Sequence, residues 1–119
     1  MAGTIVADQL QDGAGNSTSM DNAIYGSAKA WVRFNGTAAT INASYNVSSI
    51  TRIGTGNYQV NFTNAFADTN YACLVTGTYG ACTNFNTVAP TTSAAQVTTF
   101  ATTTASNQDT PYVSVACFR

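Results

Sequence analysis

Five aspartates and three cysteines, with no histidine or glutamate, are the side chains of this 119-residue chain best suited to acid–base, nucleophilic or metal chemistry. Without histidine, neither a Ser–His nor a Cys–His nucleophile can be assembled. A His-bearing zinc site is excluded too, and three thiolates cannot close a four-thiolate one. What remains is a pair of carboxylates, the equipment of a glycoside hydrolase. The candidates are Asp68 and Asp109, both in loops. Loop aspartates cap turns far more often than they catalyse, so the reading is a non-enzyme with no catalytic residue, no cofactor and no metal. Gly54-Thr55-Gly56 lacks the following helix and lysine of a phosphate-binding loop. No loop has the carboxylate density that calcium requires.

The cysteines are Cys73, Cys82 and Cys117. If Gly77-Thr78 is a two-residue hairpin turn, Cys73 and Cys82 fall directly opposite each other. They would form a non-hydrogen-bonded pair with α-carbons about 4.5 Å apart, within disulfide range. Such a bridge would form after release into an oxidising medium. The alternative is three buried, reduced cysteines acting as small apolar residues, and the odd count favours it.

The elements that must position these groups are strands. From Ala28 to Asn35, Ala28, Ala30, Val32 and Phe34 alternate with Lys29, Trp31, Arg33 and Asn35. Period two marks a strand with two different environments. Asn57 to Thr63 alternates likewise, and Gly54-Thr55-Gly56-Asn57 supplies the positive φ of a tight turn before it. Ser48–Ile53 and Asn57–Thr63 therefore form a hairpin, and Asn35-Gly36 ends the strand that carries Trp31. Further strands are expected at Thr40–Val47, Asn70–Thr76, Tyr79–Asn86, Ala94–Ala101 and Tyr112–Phe118, with a polar loop over Thr102–Pro111. About eight or nine short strands, with turns every eight to twelve residues, predict an all-β antiparallel sandwich or jelly-roll-like domain.

The phrases KAWVRFNG, SYNVSSITRIGTGNYQVNFT and AFADTNYA, in that order, resemble a β module of bacteriophage tail-fibre and related virion surface proteins. The resemblance runs from Ser27 to Val75. It implies a structural role on a virion, in a homotrimer, and transfers no catalytic residue.

Charged residues make up 8% of the chain, against about 25% in an ordinary soluble domain. A net charge of −1 argues against a nucleic-acid footprint. So little charge protects a free monomer poorly against self-association, which suggests burial in an assembly. The apolar runs are too short for membrane insertion. The N-terminus lacks the charge and apolar core of a signal peptide, so synthesis in a host cytoplasm and residence on a virion are expected.

Residues 1–26 read as an attachment arm, with residues 27–119 as the head. Thr4–Ala7 is a candidate short strand, Gly13–Ser19 is polar and should not fold alone, and Ser19–Gly26 is either one helical turn or linker. Ile5, Val6, Leu10, Met20, Ile24 and Tyr25 are the arm's apolar anchors, and another virion protein, of tail or capsid, is their expected partner. Trp31 sits on its strand's second face between Lys29 and Arg33 and is assigned to a subunit interface. Tyr79, Phe85 and Tyr112 are candidates for an aromatic platform that would contact a host surface glycan. The leading expectation is a tail-fibre or spike protein. A capsid decoration or head-fibre protein is second, and a free carbohydrate-binding module third.

Overall fold

The alternating stretches fold as strands, and their apolar halves face one another. The computed structural model describes residues 2–78, 81–84 and 88–119. In chain order the elements are β1 (Gln9–Gln11), β2 (Ser17–Ser19), α1 (Met20–Gly26), β3 (Ala30–Asn35), β4 (Thr40–Tyr45), β5 (Val47–Gly54), β6 (Asn57–Phe62), β7 (Ala72–Gly77), β8 (Ala81–Asn84), β9 (Ala94–Phe100) and β10 (Val113–Phe118). Strands β1 and β2 make a small sheet of their own. The others form two four-stranded sheets, ordered β4-β3-β10-β7 and β5-β6-β9-β8. Every pairing is antiparallel, so the chain is an all-β antiparallel protein.

One core joins the two larger sheets. β3 contributes Ala30, Val32 and Phe34, and β10 contributes Val113, Val115 and Cys117. From the other sheet come Tyr58, Val60 and Phe62 of β6 with Ala95 and Val97 of β9. The Phe34 ring meets Tyr58 edge-on at 5.2 Å across the layers. Each large apolar side chain fully buried here is worth roughly 1.5–3 kcal/mol. At the edge of this core Phe66 stacks on Tyr71 at 4.5 Å, and the Tyr71 hydroxyl donates to the carbonyls of Thr91 and Ala94 at 2.8 and 3.0 Å.

Two residues set the corners. Asn46 alone separates β4 from β5 and carries the chain from one sheet to the other with φ of 56°. Asparagine tolerates this left-handed conformation better than other side chains. Its amide group is also clamped. Nδ2 donates to the carbonyls of Lys29 and Asn64, both at 3.1 Å, and Oδ1 accepts the Asn64 N–H at 2.8 Å. Gly56, in the turn between β5 and β6, has φ of +64°, and a Cβ there would lie 2.3 Å from the Thr99 carbonyl oxygen.

Three expectations need correction or completion. β7 and β8 are not a hairpin pair. β7 hydrogen-bonds to β10 and β8 to β9, so the chain changes sheets between them and Cys73 does not bridge Cys82. Cys73 lies opposite Cys117 on β10, and those two form the disulfide, with α-carbons 4.2 Å apart. Cys82 is free and half-buried. Thr4–Ala7 is not a strand, whereas residues 9–19 close a hairpin. Asp12 organises that turn, accepting the N–H groups of Ala14 and Asn16 at 2.9 Å and the Asn16 amide at 2.8 Å. Ser19–Gly26, left open between turn and linker, is helix α1, capped by the Ser19 side chain on the Asn22 N–H.

Candidate interaction surfaces

The antiparallel register that buries Val32 and Val115 turns their neighbours outward. Tyr45, Trp31, Ala116 and Leu74 then lie directly across from one another on β4, β3, β10 and β7. Three of them are large and exposed, with Tyr45 at 58%, Trp31 at 41% and Leu74 at 64%. Trp31 and Leu74 wall a trough of about 260 Å³ floored by Ala116. The next row is Ala43, Arg33, Ser114 and Thr76. A second hollow of about 320 Å³ lies between Arg33, Thr76, Thr78 and Tyr112.

Arg33 and Tyr112 are joined by a cation–π contact, the guanidinium carbon lying 4.6 Å from the ring centroid. Among the described residues Arg33 has no ion-pair partner. The other three cations are engaged. Arg52 pairs with Asp109 at 2.6 Å and Arg119 with Asp68 at 2.7 Å. Lys29 donates to the carbonyls of Ile24 and Ser27 at the end of α1. Of the two cations that flank Trp31, Arg33 thus turns its head group to Tyr112 and Lys29 to the helix.

Asp109 holds the long loop in place. It accepts from the Arg52 guanidinium, from the Gly56 N–H at 2.8 Å and from the Tyr58 hydroxyl at 2.8 Å. The Arg52 contacts, helped by those two donors, hold its carboxyl below the ordinary aspartate range. Burial, with the bond to Asp109, pushes the Tyr58 hydroxyl up to about 12. The same loop is pinned where the Gly36 N–H donates to the Thr110 carbonyl at 2.9 Å and the Thr78 N–H to the Thr110 hydroxyl at 3.2 Å. These bonds deliver Tyr112 to Arg33.

Asp68 is held down to about 2 by its hydrogen bonds with Arg119, and it also accepts the Asn70 N–H. Asp109 precedes β10 and Arg119 follows it, so the two aspartates flank a strand spanning about 20 Å. Catalytic carboxylate pairs stand about 5–9.5 Å apart. Asp68 and Asp109 are thus two turn and ion-pair anchors rather than one cleft. Among the described residues no group of three histidine, cysteine, aspartate or glutamate side chains could hold a metal ion. No helix there is long and apolar enough to cross a membrane.

The arm is the second surface. No described residue before Ala30 is buried. Ile5 and Val6 are 88% and 93% exposed, and Leu10, Ile24 and Tyr25 are exposed as well; Met20 is half-covered. The radius of gyration of the whole chain, 16.6 Å with extents of 50 × 29 × 24 Å, exceeds the roughly 13.5 Å of a compact chain this long. Ala7, Asp8, Ser19, Met20, Asp21 and Ile24 line an open notch of about 450 Å³ on the arm.

Of the aromatic platform only Tyr112 can be placed, since Tyr79 and Phe85 lie outside the described residues. Leu74 and Tyr45, which the sequence reading did not single out, share a row with Trp31. The alternation of ACLVT around inward-facing Cys73 was the available signal for Leu74. In comparisons with protein families, characterised proteins and solved structures, nothing matches the chain.

Proposed function

We propose that this chain is a non-enzymatic structural protein of a virion surface, of tail-fibre or spike type, which enters its assembly through residues 2–26. The observation that carries the reading is an ordered arm with no core of its own. It sets Ile5, Val6, Leu10, Ile24 and Tyr25 in solvent beside a well-packed head. Apolar side chains displayed this way gain most from being covered by another chain. The resemblance of residues 27–75 to a tail-fibre module supports the virion setting. The engagement of Asp68 and Asp109 in separate ion pairs, which leaves neither poised as a general acid, supports the non-enzymatic part of the reading.

The test is incorporation. Purified particles should contain the chain by peptide mass spectrometry, and a variant lacking residues 2–20 should fold but be excluded from them. A truncated chain that incorporates as well as the full-length one ends the reading.

A second reading, a carbohydrate-binding module, is favoured by one observation: Trp31 and Leu74 form the walls of an open trough on a sheet face. It requires a stable monomer that binds glycans and loses that binding on Trp31→Ala.

A further inference from the structure

The charges of this chain can be accounted for one by one, and the remainder falls on two surfaces. Arg52, Arg119 and Lys29 are used within the fold. Asp109, Asp68 and Asp12 are used as well. One cation is left, Arg33, on the outer face of the β4-β3-β10-β7 sheet. Two carboxylates are left, Asp8 and Asp21, and both line the notch on the arm. Each surface sets its free charge among apolar groups. On the sheet these are Trp31, Tyr45, Leu74 and Tyr112, and on the arm Leu10, Met20, Ile24 and Tyr25.

The geometry points to these two surfaces being each other's partners in different copies of the chain: the arm of one copy docks on the outer sheet face of the next, with Arg33 entering the Asp8–Asp21 notch. This rests on the assembly reading above and names the arm's partner as a second copy. Charge complementarity favours this contact over the symmetric arrangement, face on face, which offers neither copy's Arg33 a carboxylate to pair with. Arm on face is instead a heterologous contact, in which each copy gives one surface and receives the other. Repeated about a rotation axis it closes a small ring. The hollows beside Trp31 and Arg33, about 260 and 320 Å³, give the apolar anchors somewhere to seat. An interface of standard size covers about 800 Å² on each partner, which an arm of some twenty-five residues can supply.

The experiment is light scattering on the full-length chain at two concentrations, with circular dichroism to check folding. The wild type should have a mass that is a whole multiple, twofold or more, of 12.4 kDa at both. Arg33→Asp should raise the dissociation constant at least about tenfold, since it puts like charges in contact. The double variant Asp8→Arg with Asp21→Arg should do the same. All these side chains are solvent-exposed, so the folded spectrum should be kept. Combining the three substitutions reverses both surfaces and should restore association. A wild type that is monomeric at both concentrations overturns the contact, as does an Arg33→Asp chain that associates normally or a triple variant that stays dissociated. Arm-dependent incorporation into particles by a chain that is monomeric in solution would overturn self-docking and leave the attachment reading standing. Self-association by a chain absent from particles would do the reverse.

Discussion

Removing the Cys73–Cys117 bridge should cost this protein a large part of its stability, and the size follows from where the bridge sits. The two cysteines are 44 residues apart in sequence. Tying such a loop in the unfolded chain is worth about 4 kcal/mol on the chain-entropy account. Both side chains are buried, Cys73 at 4% and Cys117 at 1% exposure, so serine in their place would add a polar penalty. Alanine at both positions is the cleaner perturbation. For a chain of this length 1 kcal/mol moves the midpoint by roughly 3–6 °C, so the double alanine variant should melt about 10–20 °C lower. Dithiothreitol should lower the wild-type midpoint by a similar amount and leave the variant unmoved.

The connectivity has a direct assay. Cleavage on the N-terminal side of aspartate cuts before Asp68 and Asp109 and leaves residues 68–108 and 109–119 as separate peptides. A Cys73–Cys117 bridge holds the two together without reductant, whereas a Cys73–Cys82 bridge releases 109–119 free. One alkylatable thiol per chain, on Cys82, is expected after unfolding without reductant. Free 109–119 or three alkylatable thiols in oxidised protein would refute the reasoning, because neither outcome is compatible with a Cys73–Cys117 bridge.

Asp109→Ala should cost about 3 kcal/mol by chemical denaturation, because the Gly56 N–H and the buried Tyr58 hydroxyl lose a charged acceptor; Asp109→Asn should cost less. Little of that belongs to Arg52, whose exposed side chain limits the ion pair to about 1 kcal/mol or below. Asn46→Ala should cost about 2–4 kcal/mol, combining left-handed strain with three lost hydrogen bonds, and Asn46→Gly should recover part of it. Asp68 and Asp109 both have folded-state pKa values below their unfolded ones. Their contribution is therefore complete above the ordinary aspartate range and lost as pH falls through the folded values. Stability should be flat from about pH 7 to 5 and fall from about pH 4 towards 2, and Arg119→Gln should flatten the part owed to Asp68.

Local signals carried much of this fold, and distant pairings carried the rest. The alternation of AWVRFN placed Ala30, Val32 and Phe34 in the core and Trp31 outside it. Gly54-Thr55-Gly56-Asn57 marked the β5–β6 turn because only glycine fits at Gly56. The error over Cys73 came from reading Gly77-Thr78 as a hairpin. Alternation alone turns Cys73 and Cys117 inward, but it cannot say that β10, some forty residues on, is the neighbour of β7. The exposed apolar row was half legible for the same reason. Trp31 announced itself, while Tyr45 and Leu74 join it only through the registers of β4 with β3 and β10 with β7. Tyr112 reaches Arg33 because Asp109 and Thr110 fasten the intervening loop, and no local pattern reveals those bonds.

The two outer sheet faces of this low-charge chain meet water in different ways. On the β5-β6-β9-β8 sheet, amides and hydroxyls of β5 and β6 form a network, although the buried Asn57 Oδ1 has no partner among the described residues. Gln59 donates to Asn61 at 2.7 Å, and Asn61 donates to the Ser49 and Thr51 hydroxyls at 3.0 and 3.1 Å. That network joins neutral side chains only. On the β4-β3-β10-β7 sheet the equivalent positions hold Tyr45, Trp31, Ala116 and Leu74, with one cation at their edge. A protein with a net charge of −1 cannot rely on repulsion between molecules to keep such a face apart from its neighbours. Strands of similar alternation thus carry a hydrogen-bonded polar network on one outer face and an exposed apolar row on the other. Arg33 stands beside that row on the Tyr112 ring, with no ion-pair partner among the described residues, while Asp8 and Asp21 are carried on an arm that lies outside the head's core.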